Sequence, residues 1–282
     1  MSIKSAIRSQ ILPLEGKIAL LLSSGVDSNS LLFECLEQGK DVVCYTFRLD
    51  GVDSVDSKMA KANCLEFGVA HREIILPNSL ATLIEDLQVL KSLGCKLKTE
   101  YECFWVFLYV YPAIKESTIL SGMGADHHFC LTKKGMIHYK ETRIDEFRRM
   151  HYENPEYCQG HIHKRYNNSA NHIMPYLSDE VIESFKGLQW SEINKPRQKQ
   201  VIIDLYPKYF SRINIKRHMS YHKGDSGIAK HFERLLDTEL NPGRKFKSVV
   251  SIYNRVVDPK VQNPIIRASC EPVIENRSES SL

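Results

Sequence analysis

The chain has 282 residues, of which 43% are hydrophobic and 26% charged, with a formal net charge of +4. That is enough apolar sequence to bury the core of one large or two modest domains, and no apolar run nears the ~20 residues of a membrane span. The longest, "FWVFLYVYPAI", is interrupted by Pro112, so a soluble protein with no membrane partner is expected. "MSIKSAIRSQILPLEG" at the N-terminus lacks the apolar core and small-residue cleavage site of an export signal. Cysteines at 35, 44, 64, 95, 103, 130, 158 and 270 show no C-x-x-C spacing. They suit reduced thiols and a cytoplasmic location.

From the N-terminus, residues 17–23 read as a buried strand, 28–38 as a helix ended by Gly39 and 41–48 as a strand. A helix over 54–67 ended by Gly68 and a strand over 70–76 closed by Pro77 follow. Repeated strand–helix–strand predicts an α/β fold whose parallel sheet is covered on both faces. Helical spacing marks 79–93 and 99–116, the aromatic run from Phe104 to Tyr111 being placed to fill a helix face against the sheet. "STILSGMGADHHF" then returns to a short strand and a glycine turn.

Near residue 135 the character changes. We expect an α/β domain over 1–135, a helical part over 136–240, carrying "SDEVIESFKGL" and "PRQKQVIIDLYPKYF", and an irregular, partly disordered tail over 241–282. From Lys186 to Arg255 there are 15 Lys and Arg against 6 Asp and Glu. Such a basic stretch suits nucleotide phosphate, nucleic acid or a solvated face.

The informative chemistry lies where strands end. In "LLSSGVDSNS" a strand-to-helix turn exposes backbone N–H groups at a helix N-terminus, where open α/β sheets bind anions. Gly25 lets the backbone approach a phosphate, and Ser23, Ser24 and Ser28 supply hydroxyl donors. Asp27 beside a phosphate requires a divalent cation between them, so the turn predicts phosphate plus magnesium. Read alone, the turn has a plainer alternative, an ordinary N-cap in which Asp27 or Ser28 caps the helix. A second such turn, "ILSGMGADHHF", brings Ser121, Gly122, Gly124 and Asp126, and parallel topology sends it to the same sheet edge. Asp27 and Asp126 would then face one pyrophosphate as a metal clamp.

This pair of loops resembles S-G-G-x-D-S and S-G-x-G-x-D-E of the synthetase domain of the asparagine synthetase and β-lactam synthetase family, within the ATP pyrophosphatases. "SVDSKMAKANCLEFGVAHREIIL" between them is similar to the family's acidic-start helix, glycine and H-x-E-I strand. The resemblance implies a PP-loop (adenine-nucleotide alpha hydrolase-like) fold with a mostly helical C-terminal extension. It implies ATP and Mg2+ as cofactors, with Phe47 among the nucleotide contacts. Downstream, "IMPYLSDEVIESF" is similar to the family's P-F-L-D segment with Ser178 in place of the acid, and "INIKRHMSYHKGDSG" looks like the segment whose lysine meets the ATP phosphates. Lys216, or else Lys223, would fill that role and counter charge growing on the phosphates; otherwise both are surface lysines.

The implied activity is that of an ATP-dependent, AMP-forming carbon–nitrogen ligase that adenylates a carboxylate, releases pyrophosphate and transfers the acyl group to ammonia or an amine. Three departures shape that expectation. Ser24 stands at a usual glycine. Ser2, following Met1, stands where a glutaminase domain would open with cysteine, so ammonia, an amine-bearing partner or a separate glutaminase is expected. Met123 occupies the position of a proton-transferring glutamate or tyrosine and cannot act as a base. His127, Glu141, Glu153 and Glu156 are conceivable substitutes. A zinc site on Cys158, His161, His163 and His172 has irregular spacing, and exposed loop histidines are the preferred reading. Lys133, Lys134, Arg148 and Arg149 read as surface charges. Two alternatives remain, a nucleobase- or tRNA-modifying ATP pyrophosphatase and a nucleotide-binding module without catalysis.

Overall fold

A computed structural model describes residues 1–131, 158–215 and 226–234. In chain order, α1 (Ile3–Ile11) leads into β1 (Ile18–Leu21), α2 (Val26–Glu37), β2 (Val42–Leu49), α3 (Val55–Glu66) and β3 (Ala70–Leu76). Next come α4 (Leu80–Ser92), α5 (Lys98–Phe104), α6 (Phe107–Ala113), β4 (Thr118–Ser121) and α7 (Ala125–Phe129). The later elements are α8 (Cys158–Asn167), β5 (Asn171–Ile173), a 3-10 turn (Pro175–Leu177), α9 (Asp179–Ser184), α10 (Trp190–Asn194), α11 (Gln200–Ile203), α12 (Pro207–Phe210) and α13 (Ile228–Glu233).

The five strands form a parallel sheet of order β3-β2-β1-β4-β5. Ile18 and Leu20 of β1 face a core shared with α1, α2 and the later helices, while Ala19 faces the core built by α4, α5 and α6. Both faces of the central strands are therefore dry, as parallel sheets require. Phe104, Trp105 and Tyr111 are buried in the second of these cores, as the helical spacing of the aromatic run predicts.

Several elements differ from expectation. The helix expected over 99–116 is divided at Trp105–Val106 into α5 and α6. Strand β3 lies at the sheet edge and only Leu76 in it is buried, so His71, Arg72 and Glu73 are tolerated there. "CQGHIH" belongs to helix α8, not to a loop. Its apolar period is short: Ile162 is fully buried and Tyr166, one turn on, packs against the same core, amid polar residues that mask the pattern. The three-residue β5 was also too short to stand out. Among the described residues no helix is long and apolar enough to cross a membrane, and the cysteines at 35, 44, 64, 95, 103 and 130 carry no disulfide.

Candidate nucleotide and metal site

The strand order reverses between β1 and β4, and that is where an open α/β sheet binds ligands. Leu21 at the end of β1 pairs with Ser121 at the end of β4, so both glycine turns leave adjacent strands at one edge. They touch. A Cβ on Gly122 would sit 3.2 Å from the Asp27 backbone carbon and the Ser28 nitrogen. Gly124 has φ +82°, and a Cβ there would meet Leu177 Cδ2 at 2.1 Å. Glycine is required at Gly124 by conformation and by space together.

The first turn is braced from below. Asn29 Nδ2 donates to the carbonyls of Ser23 (2.9 Å) and Gly25 (2.7 Å), and its Oδ1 accepts from Asn63 of α3 at 3.0 Å. The Ser23 N–H donates to Ser28 Oγ at 3.0 Å and the two hydroxyls also lie 3.0 Å apart. These hydroxyls can rotate toward an incoming anion. Ser24 behaves differently. It is fully buried, and both its N–H (3.0 Å) and its hydroxyl donate to Asp56 at the start of α3. The departure from glycine thus ties the turn to α3, and the Ser24 hydroxyl is committed away from the place we expected it to serve. Phe47, in the C-terminal half of β2, is half-buried and packs on the α4–α6 core.

Between the turns stands a residue that sequence reasoning missed. Lys199 Nζ donates to Asp27 Oδ2 at 2.5 Å and to Asp126 Oδ1 at 2.8 Å, with its side chain 4% exposed. The ammonium also lies 4.8 Å from the Phe129 ring centroid, over its face. Lys199 adopts φ +61°, a left-handed conformation unusual for lysine. Asn194 holds it: its Oδ1 accepts the Lys199 N–H at 3.0 Å and its Nδ2 donates to the Phe129 carbonyl at 3.0 Å. A signal existed in the sequence. Ile202, Ile203 and Tyr206 lie three, four and seven positions after Lys199 and are buried, so the lysine shares their inward face.

Burial pushes the Asp27 carboxyl up, helped by Asp126 and opposed by Lys199. For Lys199 burial works against the charged form, but the two carboxylates outweigh it and hold the ammonium well protonated. Asp27 Oδ1 is buried and has no hydrogen-bond partner among the described residues. A buried carboxylate oxygen without a partner, with a second carboxylate bound to the same ammonium, fits a hard divalent cation, which takes oxygen ligands. No group of three or more His, Cys, Asp and Glu arranged to hold a metal occurs among the described residues. Two carboxylates make a partial set, of the kind magnesium completes with phosphate oxygens and water.

Tyr176, in the segment after β5, joins the two turns from behind. Its hydroxyl meets Ser30 of α2 at 2.7 Å and its carbonyl lies 2.8 Å from His128 Nε2 of α7. Ser178 N-caps α9 by accepting from Val181 N at 3.3 Å, a task serine and aspartate perform alike. The histidines placed in loops are partly internal. His172 of β5 contacts Ser121 Oγ (2.9 Å) and Tyr111 OH (3.4 Å), and its ring centroid is 5.5 Å from that of His163. His161 is exposed. Lys216, Lys223, Lys133, Lys134, Arg148, Arg149, Glu141, Glu153 and Glu156 lie outside the described residues.

The asparagine synthase family profile matches residues 3–241, and the chain belongs to that family. A search of curated proteins finds no match. Family membership brings ATP-dependent amide-forming synthetase chemistry on small molecules with ammonia or an amine, carried here on the PP-loop α/β fold.

Proposed function

We propose that the protein is an AMP-forming ligase that activates a small-molecule carboxylate with ATP and passes it to ammonia or an amine. The observation that carries this reading is the Lys199 ammonium held between Asp27 and Asp126, where the two glycine turns meet. The backbone of Ser23–Gly25 and the hydroxyls of Ser23 and Ser28 would bind pyrophosphate, together with the Ser121–Gly124 turn. Asp27 and Asp126 would hold magnesium, which draws charge off the phosphate oxygens when bound. Lys199 would stabilise negative charge as pyrophosphate departs and the substrate carboxylate bonds to the α-phosphorus. Lys216, with Lys223 as the alternative, would add a second cation from the segment beyond α12. The acyl group then moves from AMP to the amine, whose proton needs an acceptor that Met123 cannot be.

Incubation with ATP, Mg2+ and a panel of carboxylates, followed by pyrophosphate release and ATP–pyrophosphate exchange, tests the reading directly. Exchange that depends on one class of carboxylate supports it; no exchange and no release with the whole panel removes it. Met123 favours one second reading, a module that binds nucleotide without turnover. ATP binding with no AMP formed under any condition would select that reading. Nucleic acid is less favoured because Lys199, one cation of the basic stretch, is buried on the two acids.

A further inference from the structure

We propose that Lys199 is a resident cation: it holds Asp27 and Asp126 together before nucleotide binds and yields both carboxylates to the divalent cation that arrives with nucleotide. Metal and nucleotide then enter as one unit. The inference rests on the ATP reading of this site.

Two carboxylates brought to one place repel each other, and part of their hydration is lost where Asp27 is largely buried. The Lys199 ammonium relieves this by contacting both at once. A lysine only 4% exposed is stable only when paired, so the three groups support one another. The trio carries one net negative charge. A divalent cation arriving alone would meet a place already held by a cation, and would find two protein carboxylates and no third acidic, histidine or cysteine ligand among the described residues. It would also leave the ammonium buried without its partners. Arriving with a triphosphate, the same cation brings its missing oxygen ligands, and the phosphates give the ammonium a new anionic partner.

The backbone around Lys199 is built for a local exchange. Asn194 fixes the main chain at Lys199 and ties it to Phe129. The side chain's flexible four-carbon stem can re-aim Nζ without moving that backbone. The buried Asp27 Oδ1, with no hydrogen-bond partner among the described residues, is the oxygen that Lys199 does not use. It marks where a metal gains a ligand before the lysine has fully left.

The test is Mn2+ binding by the full chain, followed by electron paramagnetic resonance with and without a non-hydrolysable ATP analogue. In wild type the analogue should tighten Mn2+ by about tenfold or more, and Mn2+ should tighten the analogue equally. Lys199→Met should bind Mn2+ about tenfold more tightly than wild type without nucleotide and lose most of this coupling. Lys199→Arg keeps the charge and should keep weak Mn2+ binding without nucleotide. Unchanged or weaker Mn2+ binding by a folded Lys199→Met overturns the proposal. Should that variant not fold, wild type decides: Mn2+ bound equally well with and without the analogue overturns it too. Failure of the ATP reading shows separately, as no analogue binding at any Mn2+ concentration, while the Lys199→Met contrast without nucleotide still judges the resident cation.

Discussion

The Tyr176 hydroxyl meets the Ser30 hydroxyl at 2.7 Å in a fully buried contact, although the residues are 146 positions apart. Ser30 also donates to the Asp27 carbonyl at 2.7 Å, so a residue after β5 sets the start of the helix that carries Asp27. Burial, with Asp27 nearby, keeps the Tyr176 hydroxyl protonated far above its ordinary range. Tyr176→Phe removes the hydroxyl and leaves Ser30 its backbone acceptor. The expected cost is about 1 kcal/mol of stability, read as a lower urea midpoint with an unchanged slope, together with weaker nucleotide binding.

Gly124→Ala tests two penalties at once. The substituted Cβ would overlap Leu177 and the backbone would hold φ +82°. A loss of roughly 2 kcal/mol or more in urea denaturation is expected. Combining it with Leu177→Ala should recover the steric part only. Full additivity of the two substitutions would mean that the second turn moves away from Leu177 instead of clashing with it.

Ser24→Gly restores the residue usual in the family and removes the hydroxyl bond to Asp56, while the N–H bond at 3.0 Å stays. Stability should fall by about 1 kcal/mol with nucleotide affinity nearly unchanged. Ser23→Ala and Ser28→Ala should do the reverse, weakening binding of a fluorescent ATP analogue more than they lower the melting temperature. A large affinity loss in Ser24→Gly would return that hydroxyl to the phosphate site.

Burial, with His163 beside it, holds His172 down from 6.5 to about 4. The unfolded chain therefore binds more protons than the folded one between those values. The stability His172 lends is full above about pH 6.5 and is lost as pH falls through about 4. Each tenfold difference in proton affinity is worth about 1.4 kcal/mol. His163 is also lowered by burial, and His231 is held at about 4 by burial and Arg234. His172→Gln should flatten the urea midpoint between pH 6.5 and 4 without abolishing its slope. An unaltered profile would show that His172 titrates normally.

Much of the first half was legible because its elements are local and strongly patterned. Strand β3 falls on the residues expected, and α2, α3 and α4 lie within two residues of their expected ends. Gly39 and Gly68 both take left-handed conformations just past helix ends, as the stop signals imply. That the two turns share one edge of a parallel sheet followed from the alternation of elements, whereas the pairing of β1 with β4 that makes them touch came only with the tertiary structure.

The lysine was a different matter. Lys195, Arg197 and Lys199 stand within five residues of one another in a basic stretch, and nothing in residue type says which one is internal. Their fates are set by contacts 73 and 172 residues away, where Asp126 and Asp27 meet the ammonium. Ser24 is similar, since its hydroxyl has a partner in Asp56 only once α3 packs beside the turn. By itself the sequence determined the strand–helix alternation, the two glycine turns and the acids they carry, because each is written in short-range periodicity and in residues that local geometry demands. Which cation faces those acids, and which hydroxyl turns away from them, was decided by tertiary structure. Charge pairing depends on distance and burial, and both exist only after distant segments have packed.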